Sequence, residues 1–237
     1  VKNAAVAAKK FTALLKKIGR VDPPPPAWRL GSADEGAAPE GDATAAHDPI
    51  ATLVMSFLMW ESTTDRAQTA YQHIRNSVVD FNELRVCMPH ETVEIIGQRY
   101  PLALNRAQRL RAAMRNIYLR EHAMNLDKHA SGGKRDLRKY IESLEGMVPY
   151  VANRTLLLCF ETHVLPVDEQ LRTALIEAEV ADASVEVPEL ATWLAMHVKA
   201  PEILNVHAAL QKWMDSKAVA AERRSQRKPA RGKAARR

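Results

Sequence analysis

Between Leu144 and Leu171 the chain, LEGMVPYVANRTLLLCFETHVLPVDEQL, places a turn on Gly146, an apolar run to about Phe160, a reversal over Thr162 to Val167, and a carboxylate, Asp168, where another helix can open. A carboxylate at that position accepts a backbone N–H and caps the helix. A second acid, Glu61, follows the apolar run that ends at Trp60, where an ordinary solvated carboxylate is also at home. His122 and His129 stand near Glu121 without the close pairing a metal needs, so they read as surface side chains and no metal is expected. Cys87 and Cys159 lie in apolar surroundings and read as buried free thiols. There is no glycine-rich phosphate loop, nucleophile elbow or zinc motif.

The elements that must position these residues read as helices. Among 237 residues 46% are hydrophobic but only 5% aromatic, and Ala, Leu, Glu, Arg and Gln dominate, the residues that lose least on entering a helix. An all-α protein is expected. Ala7, Phe11, Leu14, Leu15 and Ile18 share one face of a helix over 4–18, with lysines on the other. Residues 23–47, rich in Pro, Gly, Ala and acids, cannot bury enough surface to order themselves and read as a linker or long loop. Asp48-Pro49 is a helix start, and the nearly all-apolar run from Ile50 to Trp60 reads as a central buried helix. Further helices are expected over 62–74, from Asp80, from Pro89 to about Gly97, and over 105–125, 136–144, 169–179, 188–198 and 201–217. The organisation is thus an amphipathic helix in 1–22, the linker 23–47, a helical domain over 48–216 and a tail over 217–237.

Charge is uneven. Of the formal +6, the segment from Ser216 to Arg237 carries about +8, so the remainder is slightly acidic. Arg223, Arg224, Arg227, Lys228 and Arg231 belong to this tail, which reads as disordered and resembles nucleic-acid-binding arms that gain affinity by counterion release; a merely solubilising end is the alternative. No apolar run approaches the roughly 20 residues that cross a bilayer, so a soluble, intracellular protein without a membrane partner is expected.

The stretch from 144 to 171 resembles the helix-hairpin-helix and following loop of the endonuclease III superfamily of DNA glycosylases. Family members read L-P-G-V-G-[RK]-K-T-A where this chain has Leu144, Glu145, Gly146, Met147, Val148, Pro149, Tyr150, Val151 and Ala152. The first glycine is kept, the second is Val148, and Tyr150 stands at the family's lysine. The family's catalytic aspartate follows that lysine by eighteen residues, and Val167-Asp168-Glu169 lies eighteen beyond Tyr150. Upstream, Phe57 to Asp65 resembles L-L-S-Q-[NQ]-T-x-D, with Glu61 replacing the glutamine that inserts near an extruded base. Leu104-Asn105-Arg106-Ala107 resembles N-x-K-A, and Val206-His207 resembles L-H-G-R. The four cysteines of the family's iron–sulfur cluster are absent, so no cofactor is expected.

The resemblance covers about Asp48 to Trp213 and implies a two-lobed helical fold with a degenerate hairpin. It implies a monomeric binder of double-stranded DNA, cytoplasmic and in a bacterium nucleoid-associated. Gly146, Met147 and Val148 with the tail would hold the backbone. Asp168 would assist departure of a flipped base, with Tyr150 and Glu61 lining the pocket. Tyrosine forms no Schiff base, so lyase chemistry is not expected and the enzyme would be monofunctional. The alternative is an inactive DNA-binding module of the same fold.

Overall fold

The computed structural model describes residues 4–21, 48–129 and 132–227, which contain helices, turns and loops and no strand. The expected linker and the last part of the tail, Lys228 and Arg231 included, lie outside the described residues. The α-helices are α1 Ala4–Ile18, α2 Pro49–Met59, α3 Thr64–Ser77, α4 Phe81–Val86, α5 Pro89–Ile96, α6 Ala103–Glu121, α7 Lys134–Glu142, α8 Pro149–Phe160, α9 Glu169–Glu177, α10 Val187–Met196 and α11 Ile203–Arg227.

Helix α2 is the axis of the molecule because its sequence leaves it no polar face: every residue from Ile50 to Met59 is buried. Asp48 starts it, its Oδ1 accepting the Ile50 N–H at 2.8 Å, with Pro49 in the first turn. It packs against α8, α3 and α6. On one side α3, α4, α5 and α6 pack on one another; on the other, α1 joins α11, while α9 meets α10 and α11. The second lobe therefore combines both ends of the chain. Phe11 of α1 is fully buried, with its ring 6.3 Å from that of Trp193 on α10, a burial that contributes roughly 2–3 kcal/mol.

Helices α7 and α8 form the hairpin. Its turn approaches α6 so closely that a Cβ on Gly146, whose φ is +78°, would lie 2.6 Å from the Arg109 carbonyl oxygen and 3.1 Å from Ala112 Cβ. Glycine is thus required here by packing as well as by backbone conformation. Gly146→Ala is expected to lower the free energy of unfolding by about 2–4 kcal/mol, because the clash is with helix backbone that cannot rotate away. A urea melt measures it, and a loss under about 1 kcal/mol would show that the approach is not tight.

Several boundaries differ from the sequence reading, each for a tertiary reason. Helix α3 begins at Thr64 rather than Ser62, capped by Thr63, while Asp215 of α11 accepts from both the Thr64 N–H (3.0 Å) and hydroxyl (2.7 Å). The largest difference is α11, which runs to Arg227 where a disordered tail is expected from 217. Ala218, Val219, Ala220, Ala221, Glu222, Arg223 and Arg224 are mostly strong helix formers. Lys217 pairs with Glu177 at 2.6 Å and Glu222 with Arg66 at 2.8 Å, holding the extension to α9 and α3. No helix among the described residues is long and apolar enough to cross a membrane.

Candidate active site

The end of α2 and the start of α9 are locked together by two acids. Asp168 caps α9, its Oδ1 accepting the Leu171 N–H at 2.9 Å, while its Oδ2 accepts the Glu61 N–H at 3.0 Å. Glu61 reciprocates: its Oε1 accepts the Glu169 N–H at 2.8 Å. Each carboxylate is thus fixed by the other's segment, more than 100 residues away in sequence. Glu61 adopts the left-handed conformation (φ +52°), uncommon for a residue with a side chain and a sign of strain held by these contacts.

Burial dominates the electrostatics. Asp168 is largely withdrawn from water, which raises its pKa despite the opposing N–H bonds from Leu171 and Glu61. Glu61 is pushed up to about 7, first by burial and then by the neighbouring Asp168 charge. Neither acid forms an ion pair among the described residues. A buried cation acting on Glu61 through space is Arg106 of α6, whose guanidinium donates to the carbonyls of Trp60 and Pro101 and lies over the rings of Tyr100 (4.9 Å) and Trp60 (5.6 Å). Its pKa falls to about 10 by burial, so it stays charged at neutral pH and eases Glu61 ionisation through space.

Tyr150, in the first turn of α8, is buried, and its hydroxyl has no hydrogen-bond partner among the described residues. Burial raises its pKa, so it is a neutral phenol. It borders, with Asp168, Ser62 and His207, a cavity of about 20 Å³, room for one water molecule. His207 is buried and pushed down to about 3, hence an uncharged imidazole. A second, more open cavity of about 400 Å³ adjoins Glu61 and Glu169 and shares Gln170 and Met214 with the first. Asp168, Tyr150 and Glu61 therefore converge, which spacing alone suggests only for the first two.

The hairpin and the tail lie apart from this cluster. In the turn, Glu145 N–H donates to Asn116 (3.3 Å) and Met147 N–H to the Leu144 carbonyl (3.1 Å). Pro149 has no N–H, so Gly146 and Val148 supply the amides without such an acceptor among the described residues. The Val148 side chain is buried; with Met147, Ala191 and Met196 it borders a separate cavity of about 630 Å³ against α10. That cavity contains none of the three converging residues and carries no chemistry of theirs. Arg223 and Arg224 are exposed on the last turns of α11.

Two smaller expectations need correction. His129 is not a plain surface side chain: its ring stacks on Tyr140 (4.0 Å) and its Nε2 lies 3.0 Å from Glu121, which is nearly buried. No group of three or more metal-ligating side chains occurs among the described residues. The two cysteines are free and, as whole residues, only partly buried, although burial of the Cys159 thiol itself pushes it up to about 11.

The sequence reading assigns no role to Arg106, which supports the segment before Glu61, or to Leu102. The loop carrying Leu102 is bolted to the site: Tyr100 donates to the Leu58 carbonyl (2.8 Å) and accepts from Ser62 (3.2 Å), while Arg106 joins Pro101 to Trp60. Leu102 itself is about half exposed and left-handed (φ +53°), a costly combination for a leucine. Its signal in sequence is only a large apolar residue directly after Pro101.

No protein-family model and no curated protein matches the chain. Solved structures do. A thermostable thymine-DNA glycosylase is similar at 16% identity and TM-score 0.56, over 90% of this chain and 86% of that one. A 3-methyladenine DNA glycosylase from H. pylori, bound to 1,N6-ethenoadenine, is similar at 15% identity and TM-score 0.53, over 94% and 97%. The apo 8-oxoguanine glycosylase/lyase of Clostridium acetobutylicum is similar at 15% identity and TM-score 0.55; 71% of this chain covers 61% of that one. At such identities the likeness is one of fold: an all-helical architecture shared with the endonuclease III-like, helix-hairpin-helix DNA glycosylases.

Proposed function

We propose that this chain, which has the fold of the endonuclease III-like DNA glycosylases, hydrolyses the N-glycosidic bond of a damaged or mismatched base flipped out of duplex DNA, without a lyase step. The observation that carries the reading is the convergence of Asp168, Glu61 and Tyr150 on adjoining cavities where α2, α8 and α9 meet. A carboxylate fixed by two backbone N–H groups in a largely buried place can stabilise the positive charge that develops on the sugar, with no reorganisation at the moment of reaction. Glu61 acts as a positioning residue through the same lock. Tyr150, in the place where bifunctional relatives carry lysine, cannot form a Schiff base and offers a neutral hydroxyl instead.

Backbone contacts would come from the amides of Gly146 and Val148 and from Arg223 and Arg224. Leu102 suits the role of an apolar wedge between base steps, being exposed and strained on a loop tied to the segment before Glu61. Leu102→Gly is expected to stabilise the fold by up to about 1 kcal/mol, since glycine adopts φ > 0 freely, while slowing excision. A variant that is less stable, or equally active, removes Leu102 from the mechanism.

The test is incubation with duplexes carrying uracil, oxidised, alkylated or mismatched bases, followed by alkaline cleavage of abasic sites. Strand breaks that need alkali support a monofunctional glycosylase. The small volume beside Asp168 favours one competing reading, a DNA-binding module whose cleft does not open; binding without cleavage across the whole panel would establish it.

A further inference from the structure

We infer that the cavity of about 630 Å³ between the hairpin and α10 is the docking site of a segment of this same chain, Pro23 to Leu30. The cavity has the size of a binding site, and most of its wall is apolar, with Met147, Val148, Val164, Leu165, Ala191 and Met196 among the side chains that form it. Its two charged side chains, Arg138 and Glu142, answer each other at 2.7 Å. Such a wall favours an apolar occupant over a charged one. Met196 is 71% exposed, and an uncovered, pliable methionine beside an apolar recess is a surface suited to binding.

The sequence supplies the occupant. Residues 22–47, which connect α1 to α2, contain only two large apolar side chains, Trp28 and Leu30, and these follow a run of four prolines. Prolines fix φ before binding, so such a segment loses little entropy when it docks. In an extended chain Trp28 and Leu30 share one side and Arg29 takes the other, so the two apolar groups can enter the cavity while the charge stays in water.

The ends of the connection point the same way. Phe11 of α1 packs on Trp193, the neighbour in sequence of Thr192 in the cavity wall. At the other end α2 packs on α8, and the charge of Asp48 reaches the Cys159 thiol near the end of α8, the helix that gives the wall Pro149, Ala152 and Asn153. The connection therefore leaves one wall and returns to the other. A tether of this kind holds the segment at an effective concentration of about a millimolar, so weak intrinsic affinity suffices. Docked, it ties α1 to the hairpin, and the cavity is a structural seat and not a substrate pocket, whatever reaction the acids perform.

Arg29 is the only lysine or arginine in residues 22–47, so trypsin reports on the segment at a single bond, Arg29–Leu30. The experiment follows the fragment beginning at Leu30 by mass during digestion of the full chain, beside a synthetic peptide of residues 22–34. Cleavage in the protein is expected to be at least about tenfold slower than in the peptide, because the protease cuts only the undocked fraction. Met196→Glu, an exposed change that leaves the cut sequence untouched, should return the rate to within about twofold of the peptide's, and Trp28→Ala should do the same against a peptide of its own sequence. Protection should survive about a hundredfold dilution. Thermal melts beside the digests confirm that both variants are folded. Cleavage of the native chain at the peptide's rate overturns the inference. Protection that persists in Met196→Glu places the segment elsewhere and overturns it too, as does protection lost on dilution, which makes the occupant a second copy.

Discussion

Asp168→Asn is expected to lower the single-turnover rate of base excision by about 10²–10³-fold while DNA binding is kept or strengthened. The rate falls because the amide carries no charge to set against the developing oxocarbenium ion. Binding is kept because the duplex is held elsewhere, by the hairpin amides and the exposed arginines of α11, and because one negative charge near the phosphates is gone. The fold should lose little. Asparagine still has one oxygen for the Leu171 N–H but presents NH₂ toward the Glu61 N–H, losing one bond at a cost of about 1 kcal/mol, partly offset by relief of a buried charge. A thermal melt run beside the kinetics separates this from unfolding. Unchanged excision by a folded Asp168→Asn protein would remove Asp168 from the chemistry and with it the proposed mechanism.

How much of this was legible in the sequence depends on how local each cause is. Helix α2 declares itself, since a cap at Asp48, a proline at the first turn and ten buried residues in a row need no distant partner. Helix α8 is equally plain from its apolar run. The spacing of Tyr150 and Asp168 is readable once the hairpin pattern is noticed. By contrast, the bond from Glu61 N–H to Asp168 spans 107 residues, and nothing near either position announces it. Arg106 looks like a surface residue of a polar helix, yet it is fully buried because two aromatic rings and two carbonyls form a place for it. The continuation of α11 is hidden for the same reason: alanine and arginine in an otherwise low-complexity end suggest disorder, and the pairs that hold the helix, Lys217 with Glu177 and Glu222 with Arg66, are tertiary.

Glu61→Gln is expected to stabilise the fold by about 1–2 kcal/mol at pH 8 and hardly at all near pH 4.5. The sign follows from burial. In the unfolded chain Glu61 titrates near the ordinary value of 4.5, whereas in the folded protein it is raised to about 7. The native state therefore holds its proton longer, and the contribution of Glu61 to stability, complete below pH 4.5, is lost as pH rises through about 7. A gap of this size corresponds to about 3 kcal/mol if unscreened; because the side chain is partly open to water, roughly half of that is the realistic loss. Glutamine stands in for the protonated form at every pH and keeps an oxygen to accept the Glu169 N–H. Urea melts of both proteins at pH 5, 6, 7 and 8 should thus give curves that separate with pH, and a difference that stays constant over this range would refute the burial account. The same variant should excise its base more slowly. A substitution that strengthens the fold while weakening the reaction is what a carboxylate retained for function, against the preference of its surroundings, would produce.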